Sequence, residues 1–483
     1  MNPEQAKMQM NVIYFSGFLD LFAVSMIMPL ILPQAIELGA SPTLAGVLGS
    51  VYGGLQLVSS PIIRNRVAPG AAPLMPQQIS AFQACSWVPI LQGKWSDGVS
   101  RRFSLLLCMV FTGFGYTVLG LCSSVFAFFI SRFILGCFKH SQTISRAFLS
   151  DKGQSGLSNQ STLLGNFNSF SAIGFIIGPV VGGHMAELKG GFSLVACTAG
   201  FVFLFNAGLV WCMAAAERST SSQCHESNSA PDLRISETAL SIEKVGSEEL
   251  NLNISKVLCS FKDFNWSELW DLLLMRFFAG FSMIIFRTNF TMVLKLKFDA
   301  SPSTIGYMTS FSGIIAALSG FCIGSLTKRY KNDNARLLLH ASVFQVAALA
   351  CLTVAPSLSL LLLALVPLNL VTSVSRVSAT SLTVGVACGS SATGETDLET
   401  KDRRNSPASV GGVIGLGQSV MALARMSAPL VAGVAQEVAG VDAPAYISVL
   451  SALLAVAVMA VSGRGLRSSA KSGRIFLQEK KED

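Results

Sequence analysis

The chain has 483 residues, 51% of them hydrophobic and only 13% charged, with a mean hydropathy of +0.55. A soluble domain carries roughly 25% charged residues, so this composition excludes an ordinary water-soluble globule and makes lipid the main solvent. The formal charge of +8 does not call for nucleic acid, because the basic residues gather in alternate loops between oily runs.

The first apolar run, residues 11–36, follows Lys7 and is too long for the core of a signal peptide. It reads as a retained first span. Runs of about 20 apolar residues recur, and the pattern predicts twelve spans: 11–36, 43–63, 103–122, 124–149, 164–186, 192–213, 269–290, 303–325, 335–355, 358–387, 409–434 and 442–462. Positive charge collects after span 2 (Arg101, Arg102), after span 8 (Lys328, Arg329, Lys331), after span 10 (Lys401, Arg403, Arg404) and in the tail. The other side holds little beyond Lys189, Lys295 and Lys297. The positive-inside rule therefore places both termini in the cytosol.

These runs divide the chain into an N-terminal six-helix half (1–213), a Ser/Glu-rich cytosolic linker without apolar period (214–265), a C-terminal six-helix half (266–463) and a basic tail (464–483). The halves repeat. Span 2 opens Ser41-Pro42-Thr43-Leu44-Ala45-Gly46 and span 8 opens Ser301-Pro302-Ser303-Thr304-Ile305-Gly306, with Gly53 and Gly313 in the same register. Gly178-Pro179-Val180-Val181-Gly182-Gly183 in span 5 matches Ala428-Pro429-Leu430-Val431-Ala432-Gly433 in span 11. Parallel six-span repeats are the mark of a carrier whose site lies between its halves. From Ser41 to Gly93 is 52 positions, against 23 from Ser301 to Gly324, which leaves an apparent insertion of about 29 residues near 64–92.

Charges inside the spans are the candidate working groups, because ionised side chains are costly in lipid. Asp20 in span 1 and Arg132 in span 4 lie at similar depth and are expected to pair, either as a static lock or as a pair that opens when Asp20 takes up a proton. Arg132, Lys139 and Arg146 are seven apart and share a helix face. That basic stripe makes Lys139 the group expected to meet an anionic solute. Arg276, Arg376 and Arg425 add positive charge to the second half, and Arg287 sits nearer an end, where it can snorkel. In span 5, Gly174, Gly178, Gly182 and Gly183 make a smooth stripe for close helix approach, and Pro179 can bend it. Between spans 2 and 3, Gly93-Lys94-Trp95-Ser96-Asp97-Gly98-Val99-Ser100-Arg101-Arg102 forms a charged turn. Asp97 there can pair with Arg101 or Arg102 and cap a neighbouring helix as a latch, or the arginines can simply fix topology.

This turn resembles the loop 2–3 signature of the major facilitator superfamily. Phe18-Leu19-Asp20, followed by Met26-Ile27-Met28-Pro29 and Pro33, is similar to the span 1 signature of its drug:proton antiporters, tetracycline exporters included. Arg132 through Gly136 with Asp151 resembles the span 4 motif, and Gly174 with Gly178–Gly183 the span 5 antiporter motif. The second-half turn departs from the pattern, since Lys328 stands where Asp97 would repeat. The resemblance implies an all-α membrane protein of about twelve helices in two pseudo-symmetric halves, moving a small organic solute by alternating access. An uncoupled facilitator and a non-transporting scaffold are the alternatives.

The expected partners are the bilayer, a small solute with anions as the leading class, and protons in exchange, with no nucleic acid and a monomeric chain. No Walker-type loop, nucleophile–base set or metal-ligand spacing is present, so no enzyme activity, cofactor or metal is expected. The 11 Cys sit mostly in apolar runs. The compartment stays open between plasma membrane and endomembranes. Lys480-Lys481, third and fourth from the end of the sequence, resemble a dilysine retrieval signal.

Overall fold

The structure, a computed structural model, describes residues 3–67, 101–154, 160–225, 266–331, 333–387 and 410–463. Every regular element among them is helical. In chain order these are α1 (Pro3–Ile27), a 3-10 turn (Met28–Leu30), α2 (Ile31–Glu37), α3 (Pro42–Val67), α4 (Arg101–Leu121), α5 (Val125–Phe138), α6 (Ser141–Gln154), α7 (Gln160–Ala186), α8 (Gly191–His225), α9 (Trp266–Phe298), α10 (Pro302–Arg329), α11 (Asn334–Val354), α12 (Leu358–Ala387), α13 (Val410–Ala439) and α14 (Ala443–Ser462). Nine stretches among the described residues are long and apolar enough to cross a membrane, and one of them, Met8–Glu37, joins α1 to α2. The rod α3, the broken pair α5–α6 and the rod α13 bring the bundle to twelve.

Local sequence explains the breaks. Gly39, Gly190 and Gly440 take left-handed backbone (φ 90°, 82° and 88°) at the turns before α3, α8 and α14, a conformation in which other residues are strained. Ser124 caps α5 by accepting from the Ala127 N–H, and Asp333 caps α11 by accepting from the Arg336 N–H. Helix α8 runs to His225, past the predicted span end at 213. Residues 226–265, the rest of the predicted linker, lie outside the described residues, as does the predicted insertion beyond Val67, where α3 ends. Span 4, expected as one rod over 124–149, is instead two helices parted at Lys139 and His140.

Buried apolar clusters among the described residues each draw on one half only. In the first, Met26, Leu119, Phe128, Leu135 and Phe203 join α1, α4, α5 and α8. In the second, Met283, Leu294, Leu349, Leu365 and Leu368 join α9, α11 and α12. The halves meet instead along α3 with α13 and α7 with α10, with a smaller contact of α2 on α9. At those seams the backbones touch through glycine. A Cβ on Gly46 would strike the Pro429 carbonyl, one on Gly433 the Pro42 carbonyl, one on Gly306 the Pro179 carbonyl and one on Gly183 the Pro302 carbonyl.

Among the described residues, hydrogen bonds join the halves from Thr43 to Glu437, Ser303 to Glu187, His184 to Tyr307, Ser310 to Ile176 and Lys295 to Glu37. All lie toward the end of the bundle that carries the α2–α3 turn. Further along α10, Gly320 and Gly324 face open space. The bundle is thus sealed at the α2–α3 end, while those two positions of α10 stand clear of other atoms toward the opposite end.

Candidate functional site

In the first half the polar centre forms where span 4 breaks. Lys139 is the C-terminal cap of α5, with φ −79° and ψ 72°, outside the helical range. That rotation brings its ammonium to 2.8 Å from Asp20 Oδ1. Ser141, the first residue of α6, donates its hydroxyl to Asp20 Oδ2 at 2.7 Å. Both carboxylate oxygens are therefore engaged, and Asp20 and Lys139 are only 1% and 9% exposed. The Lys139 ammonium also lies over the Phe203 ring, 5.1 Å from its centroid. Gln142 donates to the Gly17 carbonyl at 3.2 Å and Asn206 to the Ser16 carbonyl at 3.0 Å, holding α1 in register with α6 and α8.

The expected Asp20–Arg132 pair does not form, because the two residues differ in depth. Span 1 continues through α2 to Glu37, which puts Asp20 17 residues, roughly 26 Å, from that end. Arg132 stands seven residues into α5, roughly 10 Å from the same end. Its guanidinium lies instead by the rings of Phe128 and Tyr52, at 5.4 and 5.8 Å from their centroids. Arg146, in α6, lies within electrostatic reach of Asp20. The predicted basic stripe is therefore interrupted, and at its middle Lys139 is neutralised.

Among the described residues, the arginines of the second half carry no such partner. Arg276 is buried on α9 and donates to Thr380 Oγ1 of α12 at 3.1 Å. Gly417 of α13 leaves the room, since a Cβ there would come within 2.9 Å of the Arg276 guanidinium. Arg376 lies within electrostatic reach of both Arg276 and Arg287, and Arg425 within reach of Tyr52 from the first half. Arg287, Arg376 and Arg425 are exposed, although each lies 11 or more residues from the nearer end of its helix. Among the described residues no carboxylate pairs with any arginine; the ion pairs are Lys139–Asp20, Lys295–Glu37 and Lys297–Asp442. Four guanidiniums on α9, α12 and α13, one buried and three exposed, thus make the second half positive at mid-helix.

The span 5 glycines divide their work. Cβ atoms on Gly174, Gly178 and Gly182 would enter the Phe18, Phe22 and Met26 carbonyls of α1, whereas Gly183 faces α10 of the other half. Pro179 sits inside α7 without ending it. Of the charged turn, Gly93, Lys94, Asp97 and Gly98 lie outside the described residues; Arg101 and Arg102 open α4, and their side chains are not described.

Several participants carry no signal in the sequence: Ser141, Tyr52, Phe128 and Thr380 are ordinary residues of apolar or small-polar runs. Glu187 and Glu437 do carry one. They stand four residues beyond Gly183 and Gly433, so extending the repeat pairs them.

Comparison with known proteins fits this geometry. The family profile described as Major Facilitator Superfamily matches residues 79–395. Tetracycline resistance protein, class D, of Salmonella ordonez is 28% identical over 110 residues, covering 23% of this chain and 27% of that protein. Major facilitator superfamily domain-containing protein 10 of Homo sapiens is 28% identical over 201 residues, covering 40% of this chain and 43% of that one. Both alignments thus span less than half of the relative. Among solved structures, the human organic anion transporter MFSD10 (TETRAN) aligns over 95% of this chain and 100% of its own, at 18% identity and a TM-score of 0.51. The nucleoside transporter NupG aligns over 95% and 98%, at 12% identity and a TM-score of 0.63. At these identities the structural likeness speaks for the fold alone.

Proposed function

The chain belongs to the Major Facilitator Superfamily, and from that premise we propose that it is a secondary carrier that moves a small organic anion by alternating access, in exchange for protons. That it is a multi-pass membrane transporter follows from the family and the fold. The solute class rests on one observation: Arg276, Arg287, Arg376 and Arg425 stand well within the helices of the second half with no carboxylate partner among the described residues. Like charges within electrostatic reach, as Arg376 is of Arg276 and Arg287, destabilise one another until an anion intervenes. A carboxylate or sulfonate placed among them accepts several charge-assisted hydrogen bonds at once. The likeness to a human organic anion transporter supports the same class.

Positive charge in alternate loops assigns both termini to the cytosol. On that orientation the sealed end faces outward and the halves part on the inner side. Two parallel six-helix halves, separated by the linker, rock about the α3–α13 and α7–α10 seams. The Asp20–Lys139 pair is the candidate proton site. Protonating Asp20 dissolves its charge attraction for Lys139, frees an ammonium at the α5–α6 break, and adds that cation to the pathway.

Purified protein in liposomes tests this. Uptake of carboxyfluorescein, an aliphatic monocarboxylate and a quaternary ammonium is compared, with and without a pH gradient. Anion uptake is expected, quickened by the gradient, and the double variant R287Q/R376Q is expected to lose about tenfold or more, because each guanidinium–anion hydrogen bond contributes on the order of 1.5–3 kcal/mol. Uptake of the ammonium but neither anion refutes the solute class. Gradient-independent anion uptake refutes the proton exchange and leaves a facilitator.

A further inference from the structure

The sealed end is built twice from the same parts. At one corner, Ser301 is the N-cap of α10 and accepts from the Thr304 N–H at 3.3 Å. The next free donor of that turn, the Ser303 N–H, is bound at 3.2 Å by Glu187 Oε1, at the end of α7 in the opposite half. At the other corner, Ser41 accepts from the Leu44 N–H at 3.2 Å. The Thr43 N–H is bound at 3.0 Å by Glu437 Oε2, at the end of α13 in the opposite half.

In an ordinary capping box the carboxylate that completes the first turn comes from the helix itself, three residues after the cap. Here those positions hold Thr304 and Leu44, and neither is acidic. Each helix instead takes its carboxylate from the other half. The exchange is reciprocal, since Glu187 of the first half caps a helix of the second and Glu437 of the second caps a helix of the first.

We propose that Glu187 and Glu437 form a two-point latch, each carboxylate completing the N-terminal cap of a helix in the opposite half, and that releasing both is the step that opens the sealed end. The latch rests on the alternating-access reading and not on the identity of the solute. Its logic is topological. Rocking the halves separates α7 from α10 and α13 from α3, and either motion strips a helix N-terminus of its anion. The carboxylate regains water, whereas the first-turn N–H groups lose a partner that the helix dipole favours. Beside each latch a glycine lets the backbones touch, Gly183 against Pro302 and Gly433 against Pro42, so the carboxylate arrives at the turn already in register.

Ionisable neighbours leave the latch intact near neutrality. His184, one turn before Glu187 on α7, hydrogen-bonds Tyr307 of α10. At the same rim, Lys295 holds Glu37 and Lys297 holds Asp442, and Lys189 and Asp299 complete the charged groups of the adjoining turns.

The test uses the full chain in membrane vesicles, with a cysteine placed at Ser310. That residue lies buried in the α7–α10 seam, where its hydroxyl donates to the Ile176 carbonyl at 2.6 Å. A membrane-impermeant maleimide is applied from the side carrying the α2–α3 turn, with the chain lacking S310C as background. E187Q/E437Q in the S310C chain is expected to raise the labelling rate severalfold, and each single change less. T43P removes the donor of one latch while respecting the first helical turn. It is expected to reproduce the E437Q increment and to add nothing to it. Unchanged labelling in E187Q/E437Q, or full additivity of T43P with E437Q, overturns the latch. Because no solute is present, failure here is distinct from failure of the anion assignment.

Discussion

Replacing Lys139 with Met removes one member of a buried ion pair while nearly preserving side-chain length. Asp20 is 1% exposed and Lys139 9%, and the N–O distance is 2.8 Å. After the change the Asp20 carboxylate keeps the Ser141 hydroxyl at 2.7 Å, but its counter-charge is gone. Breaking such a pair by removing one partner costs about 3–5 kcal/mol, whereas replacing both partners with neutral groups of similar volume is often neutral. The single variant is therefore expected to be much less stable than the parent, by roughly two to four powers of ten in the unfolding equilibrium. D20N/K139M is expected to recover most of that loss. The assay is the half-life of the detergent-purified, monodisperse protein on heating, since large membrane proteins unfold irreversibly and a rate is the meaningful measure. Parent-like persistence of K139M, or a double variant no better than K139M, would refute the view that this pair holds α1 to the α5–α6 break. With D20N/K139M folded, its uptake also reads the coupling: anion flux is expected to lose its response to a pH gradient.

Two further expectations rest on the seams. Gly182→Ala drives a methyl into the Met26 backbone inside one half, and Gly433→Ala drives one into the Pro42 carbonyl between the halves. Overpacking costs about 1–3 kcal/mol, so thermal half-life should fall for G182A, whereas G433A should instead raise labelling of S310C; the reverse pattern would refute the division of labour among these glycines. For pH, hydrogen bonds from the hydroxyl and N–H of Ser303 hold Glu187 below the usual carboxylate value of 4.5, and those of Thr43 do the same for Glu437. A depressed pKa contributes stability that is complete above the unlatched value and lost as pH falls through the latched one. Labelling of S310C should therefore stay flat from about pH 7 to pH 5 and rise only below the usual carboxylate value of 4.5; a rise already near pH 6 would assign the opening to another group.

Much of this protein is legible in its amino-acid sequence. Apolar runs of span length, basic loops on one side and the Ser-Pro and Gly-Pro repeats carry period and order, which are properties of neighbours along the chain. They predict a helical membrane bundle of two repeated halves; that the repeated glycines Gly46, Gly183, Gly306 and Gly433 form the seams between those halves is a finding of the structure. Pairing between distant charges is not legible in the same way. Depth counted along a sequence depends on where each helix begins and ends. Counted from the same end, Asp20 lies 17 residues in and Arg132 only seven, and the break at Lys139 turns its ammonium to Asp20 and leaves Arg132 to two aromatic rings. Composition and repetition thus determine the bundle. Only tertiary structure decides which cation neutralises the one buried acid of span 1, which arginines remain for a solute, and which half supplies the carboxylate at each helix start, because those choices depend on three-dimensional distance between segments more than a hundred residues apart.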